Sequence, residues 1–197
     1  MNPIEKIFAP LYGLPCWNAR SGYGSFLTME FGEPHLEIHE PRRARPGASE
    51  RVRESLARRR VFVHGEWHLW IYCCEWHVYT GETLMGDSDL QGSTKERIDL
   101  AAAELDGQRL KRVTVDPHRG TSTFHFDLGS RLETWPYEPD TKQWHLYQPD
   151  GNVLTYRSDG YYEQSPGDAP PKTKIWKPLF IMVDGLRPTE SESAQPH

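Results

Sequence analysis

Short runs of alternating apolar and polar residues, broken by glycine and proline, dominate the chain and predict β-strands. Residues 27–31 place Leu, Met and Phe on one face. In residues 35–40, Leu36 and Ile38 face one way, which we expect to be inward. The Gly-Glu-Pro turn at 32–34 joins these two runs, so the pattern predicts that they pair as a hairpin.

The longest strand-like region covers residues 61–79, with a turn or bulge expected at Gly65. Leu69, Ile71 and Cys73 alternate onto one face of it. The opposite face carries large side chains as well: His68, Trp70, Tyr72, Cys74 and Trp76. Apolar bulk on both faces is typical of a central strand that is covered twice, or of one whose second face lines a pocket.

Two segments have helical patterns. Ser93 and Glu96 form a capping box, and an apolar stripe then runs to Leu105 before Gly107, which predicts a packed helix at about 94–106. Residues 49–58 are rich in arginine and predict a short, mostly solvated helix capped by Ser49.

The elements together predict a mainly β (α+β) fold of about nine strands. The expected architecture is an antiparallel rolled sheet, an open barrel or a sandwich, with one packed helix and the short arginine-rich helix. A chain of 197 residues fits a single domain, which we expect at 1–183, with 41–60 as an arginine-rich flap. The polar residues 184–197 predict a disordered tail.

The sequence predicts a cytoplasmic protein. Its N-terminus lacks the basic region and apolar run of a secretory signal, and no apolar stretch reaches the roughly 18 residues that span a bilayer. Two of the three cysteines, Cys73 and Cys74, are adjacent, and neighbours on a strand point to opposite faces. Free thiols in a reducing compartment are therefore expected.

Charge is distributed unevenly along the chain. Residues 42–60 contain eight arginines and two glutamates, a net charge of +6 against −5 for the whole chain, so the remainder carries −11. This segment is a candidate for contact with an unidentified protein partner through Arg51, Arg53, Arg58 and Arg59. The lack of aromatic residues at 41–60 and the acidic remainder disfavour nucleic acid. The alternative is a solvated helix that pairs with the protein's own carboxylates.

The ring-rich face of 61–79 is a candidate ligand pocket. Aromatic side chains with a few polar groups are typical of small-molecule sites. The candidate lining residues are His68, Trp70, Tyr72 and Trp76. Core packing, with Trp and Tyr polar atoms at the rim, is the competing interpretation and the one that the pattern favours.

His35, Glu37 and His39 share one face of a predicted strand, about 6–7 Å apart at alternate positions. Two imidazoles and a carboxylate are ligand types that zinc accepts. His64, His68 and His77 are candidates to join them from a neighbouring strand. An exposed polar face on an edge hairpin explains the same pattern without a metal.

Several segments resemble a family of bacterial hypothetical proteins: residues 14–18 (LPCWN), 22–37, 65–76, 126–129 and 132–137. The resemblance extends to about residue 180 and implies a bacterial, intracellular origin. No activity is attached to that family, so it implies no role for any residue.

We expect a binding or accessory protein without catalysis and without a cofactor. An immunity- or defence-associated role would suit such a chain. The alternatives are a small-ligand-binding β-protein with an aromatic pocket and a metal-dependent hydrolase that uses His35, Glu37 and His39. The sequence contains no phosphate-binding glycine loop, Cys-x-x-Cys pair, nucleophile elbow or His-Glu-x-x-His motif, which disfavours the common enzyme classes.

Overall fold

Antiparallel strands make up most of the protein, as a computed structural model shows for residues 2–22, 24–89 and 94–179. Three α-helices accompany them: α1 (Pro3–Phe8), α2 (Glu50–Leu56) and α3 (Lys95–Leu105). The strands are β1 (Trp17–Ser21), β2 (Leu27–Phe31), β3 (His35–His39), β4 (Arg60–His64), β5 (Trp67–Ile71), β6 (Cys74–Thr80), β7 (Thr83–Asp87), β8 (Leu110–Asp116), β9 (Thr121–Phe126), β10 (Ser130–Pro136), β11 (Lys142–Tyr147), β12 (Asn152–Arg157), β13 (Tyr161–Pro166) and β14 (Lys177–Pro178). The prediction of a mainly β, α+β fold is confirmed.

Two sheets enclose one hydrophobic core. The seven-stranded sheet has the order β1-β2-β5-β11-β12-β13-β14, and the five-stranded sheet has the order β7-β6-β10-β9-β8. Trp144 of the first sheet meets Phe124 of the second edge-to-face at 5.9 Å, and Phe8 of α1 contacts both rings. Neither sheet closes into a barrel within the described residues. Of the three predicted architectures, the packing matches the sandwich.

The region predicted as one long strand, 61–79, is divided among three sheets. Strand β4 pairs with β3, β5 joins the seven-stranded sheet, and β6 joins the five-stranded sheet. Cys73 separates β5 from β6 and has a φ of 39°, a conformation that a strand cannot contain. The chain turns there from one sheet to the other, so the two faces predicted for 61–79 are not continuous.

The helices agree with their patterns. Helix α3 buries the predicted apolar stripe, and α2 is capped by Ser49, whose side chain accepts a hydrogen bond from the Val52 N–H. The cap of α3 is Thr94, whereas the predicted cap, Ser93, lies outside the described residues. The predicted tail at 184–197 also lies outside them.

Strands β3 and β4 form a separate two-stranded sheet, called the ribbon below, with α2 between its strands in the chain. The predicted hairpin of β2 with β3 is wrong, because β2 pairs with β1 and β5. Gly32, with a φ of 78°, leads the chain out of the sheet.

The predicted orientation of the ribbon's apolar residues is wrong as well. Leu36 is 64% exposed and Ile38 is 55% exposed. Their direct partners on β4 are Val63 (47%) and Val61 (55%). The apolar face of the ribbon therefore points outward, and its opposite face, which carries histidines, faces the body of the protein.

Candidate functional site

A groove of about 1010 Å³ lies between the ribbon and the outer face of the seven-stranded sheet. The ribbon contributes the side chains that alternate with its apolar residues, and the sheet contributes the outer face of β2, β5 and β11. The lining residues are Arg20, Thr28, Glu33, Pro34, His35, Glu37, His39, Phe62, His64, Gly65, Glu66, His68, Trp70, Tyr147, Gln148, Pro149 and Gly151.

A buried carboxylate, Glu30, holds two imidazole rings at this groove. Its side chain is 1% exposed. Its Oε1 atom accepts hydrogen bonds from Nδ1 of His68 at 2.8 Å and Nδ1 of His64 at 3.3 Å. Its Oε2 atom accepts one from the Gly65 N–H at 3.0 Å. Three strands, β2, β4 and β5, are therefore joined through one carboxylate.

The surroundings of Glu30 keep it ionised. Burial alone would raise the pKa of this carboxyl. The hydrogen bond and electrostatic attraction of His68, the Gly65 N–H and the attraction of His64 outweigh burial, so the pKa of Glu30 lies below its ordinary value. A negative charge therefore lies directly behind the two histidines that line the groove.

A second carboxylate, Glu37, approaches the same ring system from the ribbon. Its Oε2 atom lies 3.3 Å from Nε2 of His64, and its Oε1 atom lies 2.7 Å from Nε2 of His39. His64 therefore stands between two carboxylates, one buried in the sheet and one on the ribbon. The hydrogen bond to Glu30 orients the ring through Nδ1, and Glu37 lies close to Nε2 on the other side.

Aromatic rings form the wall beside the histidines. Tyr147 lies 5.5 Å from the His68 ring, and Trp70 is the next outward residue on β5. Phe62 faces the groove from the ribbon, where its ring lies 6.2 Å from that of His64. The groove thus combines flat apolar surface with a few polar groups, as small-molecule sites do.

The residues predicted as metal ligands all line the groove, but they do not form one cluster. Glu37 and His39 are in contact, whereas the His35 ring lies 6.4 Å from that of His64. His64 and His68 join the site as the sequence indicated. His77 does not, because it lies on β6 in the other sheet beside Tyr79 and Trp135.

The predicted pocket residues separate into two groups. His68 and Trp70 line the groove, and Tyr72 packs against Trp70 at 4.8 Å without lining it. Trp76 is buried, and its indole N–H donates to the Ser25 carbonyl. Trp76 is separated from the groove because the turn at Cys73 places it in the five-stranded sheet.

Sequence reasoning missed Glu30. The residue alternates with Leu27, Met29 and Phe31, so it lies on the face opposite to them, for which the pattern predicted no site. Because Thr28 shares the polar face of this short strand, the glutamate is only a weak signal. Its burial depends on the ribbon that covers this face, which no local pattern reveals.

The four candidate partner-binding arginines, Arg51, Arg53, Arg58 and Arg59, are all exposed on or just after α2. Arg59 forms an ion pair with Glu40 at 2.9 Å. Exposed pairs of this kind contribute little to stability. The role of these arginines in binding a partner stays a prediction.

A polar network continues across the outer face of the sheet from Trp70. The His145 ring lies 5.7 Å from that of Trp70, and its Nδ1 atom lies 3.0 Å from the Thr155 hydroxyl. That hydroxyl donates to Glu163 at 3.2 Å, and the Lys174 ammonium group lies 2.8 Å from the same carboxylate oxygen. Because Thr155 donates its proton to Glu163, His145 must donate to Thr155 from Nδ1.

Protonation of His145 is expected to destabilise the fold in mild acid. Burial, followed by the charges of Lys142 and Lys174, lowers the pKa of His145 to about 4, while Glu163 opposes this shift. The unfolded chain has the ordinary value of about 6.5 and takes up the proton first, so stability falls as the pH drops from about 6.5 to about 4. The loss amounts to about 3 kcal/mol.

Urea unfolding at about pH 7 and about pH 4.5 measures this effect. Other groups titrate in the same window, so the comparison is with His145→Gln, which keeps a donor for Thr155. The wild type should lose more stability than the variant, by about 2 kcal/mol. Equal losses would show that His145 does not carry the effect.

All three cysteines are free thiols. Cys16 and Cys74 are buried, and burial raises the pKa of both thiols well above the ordinary value. They therefore stay protonated at neutral pH and act as small apolar residues. Cys73 lies between the two sheets at the turn described above.

Comparison with known proteins yields no match: no protein-family model, no curated protein and no solved structure is similar to this chain. Membership of a family of bacterial hypothetical proteins accordingly stays a prediction. No helix among the described residues is long and apolar enough to cross a membrane.

Proposed function

We propose that this protein is a binding protein whose groove holds a small organic cation, an amine with a flat apolar body. The observation that carries the proposal is the ionised, buried Glu30, which is hydrogen-bonded to His64 and His68, two imidazoles that line the groove. A charged carboxylate in such a place favours a ligand that donates hydrogen bonds or carries positive charge.

The charges of the lining support a cationic ligand. Glu33, Glu37 and Glu66 lie around the groove, against a single arginine, Arg20. Clefts lined by one sign of charge concentrate ligands of the opposite sign. An anionic molecule of the same size meets repulsion from these carboxylates.

The rings support a flat or apolar body. Trp70, Tyr147 and Phe62 line the groove within a short distance of the histidines. Aromatic faces attract cations by about 0.5–2 kcal/mol and stack on other rings. An amine attached to a ring would satisfy both parts of the site.

Binding fits the lining better than covalent catalysis does. Among the described residues, the groove lining contains neither serine nor cysteine, the commonest nucleophiles, and both buried thiols lie elsewhere. We also propose that the protein acts in the cytoplasm, a location that its three free thiols favour.

A pair of probes that differ in charge tests the proposal. Phenethylamine and hydrocinnamate share a phenyl ring but carry opposite charges, and saturation-transfer NMR reports the binding of each. We expect phenethylamine to bind and hydrocinnamate to bind more weakly or not at all. Trp70→Leu should weaken amine binding by about 3–30-fold, which corresponds to the loss of one ring contact.

The matched control is Trp135→Leu, on the five-stranded sheet beside His77. It removes a ring of the same size and should leave amine binding unchanged. If hydrocinnamate bound as tightly as phenethylamine, or if the two Trp variants behaved alike, the proposal would be wrong.

A further inference from the structure

Three possible metal-ligating atoms converge from three different strands. Glu30 of β2, His64 of β4 and His68 of β5 each place one such atom within 4.8 Å of the other two. Glu30 is 34 and 38 residues from His64 and His68 in the chain, so the fold brings the carboxylate to the two neighbouring histidines. The carboxylate is buried, while both rings are partly open to the groove.

The spacing of these atoms is close to that of a zinc site. Zinc lies about 2.0–2.1 Å from nitrogen ligands and about 2.0–2.2 Å from oxygen ligands, which puts neighbouring ligands of a tetrahedral site about 3.3 Å apart. Oε1 of Glu30 lies 3.3 Å from Nδ1 of His64 and 2.8 Å from Nδ1 of His68. The contact with His64 already has this length, whereas the contact with His68 would lengthen by about 0.5 Å to admit the ion.

We propose that Glu30 Oε1, His64 Nδ1 and His68 Nδ1 bind one divalent transition-metal ion of the zinc class. The ion replaces the ring protons that lie between the imidazoles and the carboxylate, and those protons pass to Nε2 or to solvent. The inference does not depend on any organic ligand, and because the ion would use the charge of Glu30, the metal and an organic cation would compete for this carboxylate.

Gly65 and Glu37 contact the proposed ligands in the way that neighbouring residues orient metal ligands. The Gly65 N–H holds the other oxygen of Glu30 at 3.0 Å. Glu37 lies 3.3 Å from Nε2 of His64 and accepts its proton once Nδ1 holds the metal. Such partners fix the tautomer and raise the basicity of the ligand, and their loss costs about 10–100-fold in metal affinity.

The ligand set also selects the type of ion. Two imidazoles and one carboxylate suit zinc and related transition metals, whereas calcium and magnesium prefer oxygen ligands throughout. Three protein ligands leave the fourth position of a tetrahedral ion open, and the exposed edges of both rings lie on the groove. Open sites of this kind bind a water molecule or a ligand atom at the metal.

Calorimetric titration of the chelator-treated full chain with zinc chloride tests the site, and cobalt(II) gives visible absorption that reports tetrahedral coordination. We expect one ion per chain. His68→Ala should weaken zinc binding by more than about 100-fold, and Glu37→Gln by about 10–100-fold. The matched controls, His35→Ala in the groove and His77→Ala on the other sheet, should bind zinc like the wild type.

A measurement on the wild type guards against variants that fail to fold. Long-range nitrogen–proton correlation spectra should show zinc shifting the Nδ1 signals of His64 and His68 and leaving His77 unchanged. Zinc binding that is lost in His35→Ala, or retained in His68→Ala, would overturn the proposed ligand set. Binding of phenethylamine without any binding of zinc would overturn the metal site alone, and the reverse result would overturn the proposed function alone.

Discussion

Replacing Lys174 with methionine is expected to lower the free energy of unfolding by about 3 kcal/mol or more. Glu163, its partner, is 1% exposed, and the two charges are 2.8 Å apart. Without the ammonium group, a buried carboxylate keeps one hydrogen bond, from Thr155, and has no opposite charge. Leaving a buried charge unpaired costs far more than the intact pair contributes, because the charge stays desolvated.

Chemical denaturation at neutral pH measures the loss. Adding Glu163→Gln to the Lys174→Met variant removes the unpaired charge and should restore most of the stability. The matched control is Lys95→Met, which breaks an exposed i,i+4 pair with Asp99 and should cost no more than about 0.5 kcal/mol. Equal effects at Lys174 and Lys95 would contradict the burial argument.

Gly65→Ala is expected to destabilise the protein by about 3 kcal/mol and to disturb the candidate site. An added Cβ would lie 2.5 Å from the Phe31 carbonyl oxygen, 3.0 Å from its nitrogen and 3.2 Å from Glu30 Cβ. Backbone atoms cannot move aside as a flexible side chain does. The connection from ribbon to sheet must shift instead, and Glu30 would lose the Gly65 N–H.

Denaturation and the His68 ring signals measure the two effects together. Gly22→Ala is the matched control, since its added Cβ meets no heavy atom closer than 3.6 Å. It should change stability by less than about 1 kcal/mol. A Gly65→Ala protein with wild-type stability and unchanged ring signals would show that the close approach is not needed.

The sequence predicted elements better than their connections. Alternation located β2 and β3, and the cap-to-glycine pattern located α3. The pairing of β2 with β5, and of β3 with β4, follows from contacts between distant parts of the chain. A local sequence pattern contains no information about such contacts. Residues 61–79 were therefore predicted as one strand, although they contribute strands to three sheets.

The site was predicted in part for the same reason. Alternation correctly grouped His35, Glu37 and His39 on one face of β3, and His68 with Trp70 on one face of β5. It could not show that the first face turns inward, because apolar residues normally mark the buried side of a strand. The sequence pattern did not single out Glu30 for a related reason, since its burial requires the ribbon to fold over the sheet.

The residues of the candidate site come from two separate sheets, the ribbon and the seven-stranded sheet. His64 and Glu37 belong to the ribbon, whereas Glu30 and His68 belong to the sheet, so any occupant that contacts both holds two separately hydrogen-bonded units together. By linkage, occupancy raises the free energy needed to lift the ribbon away, and amide exchange in β3 and β4 slows accordingly. The coupling is reciprocal. A contact that stabilises the ribbon through its exposed face of Leu36, Ile38, Val61 and Val63 would therefore raise the affinity of the groove for any ligand that touches both units.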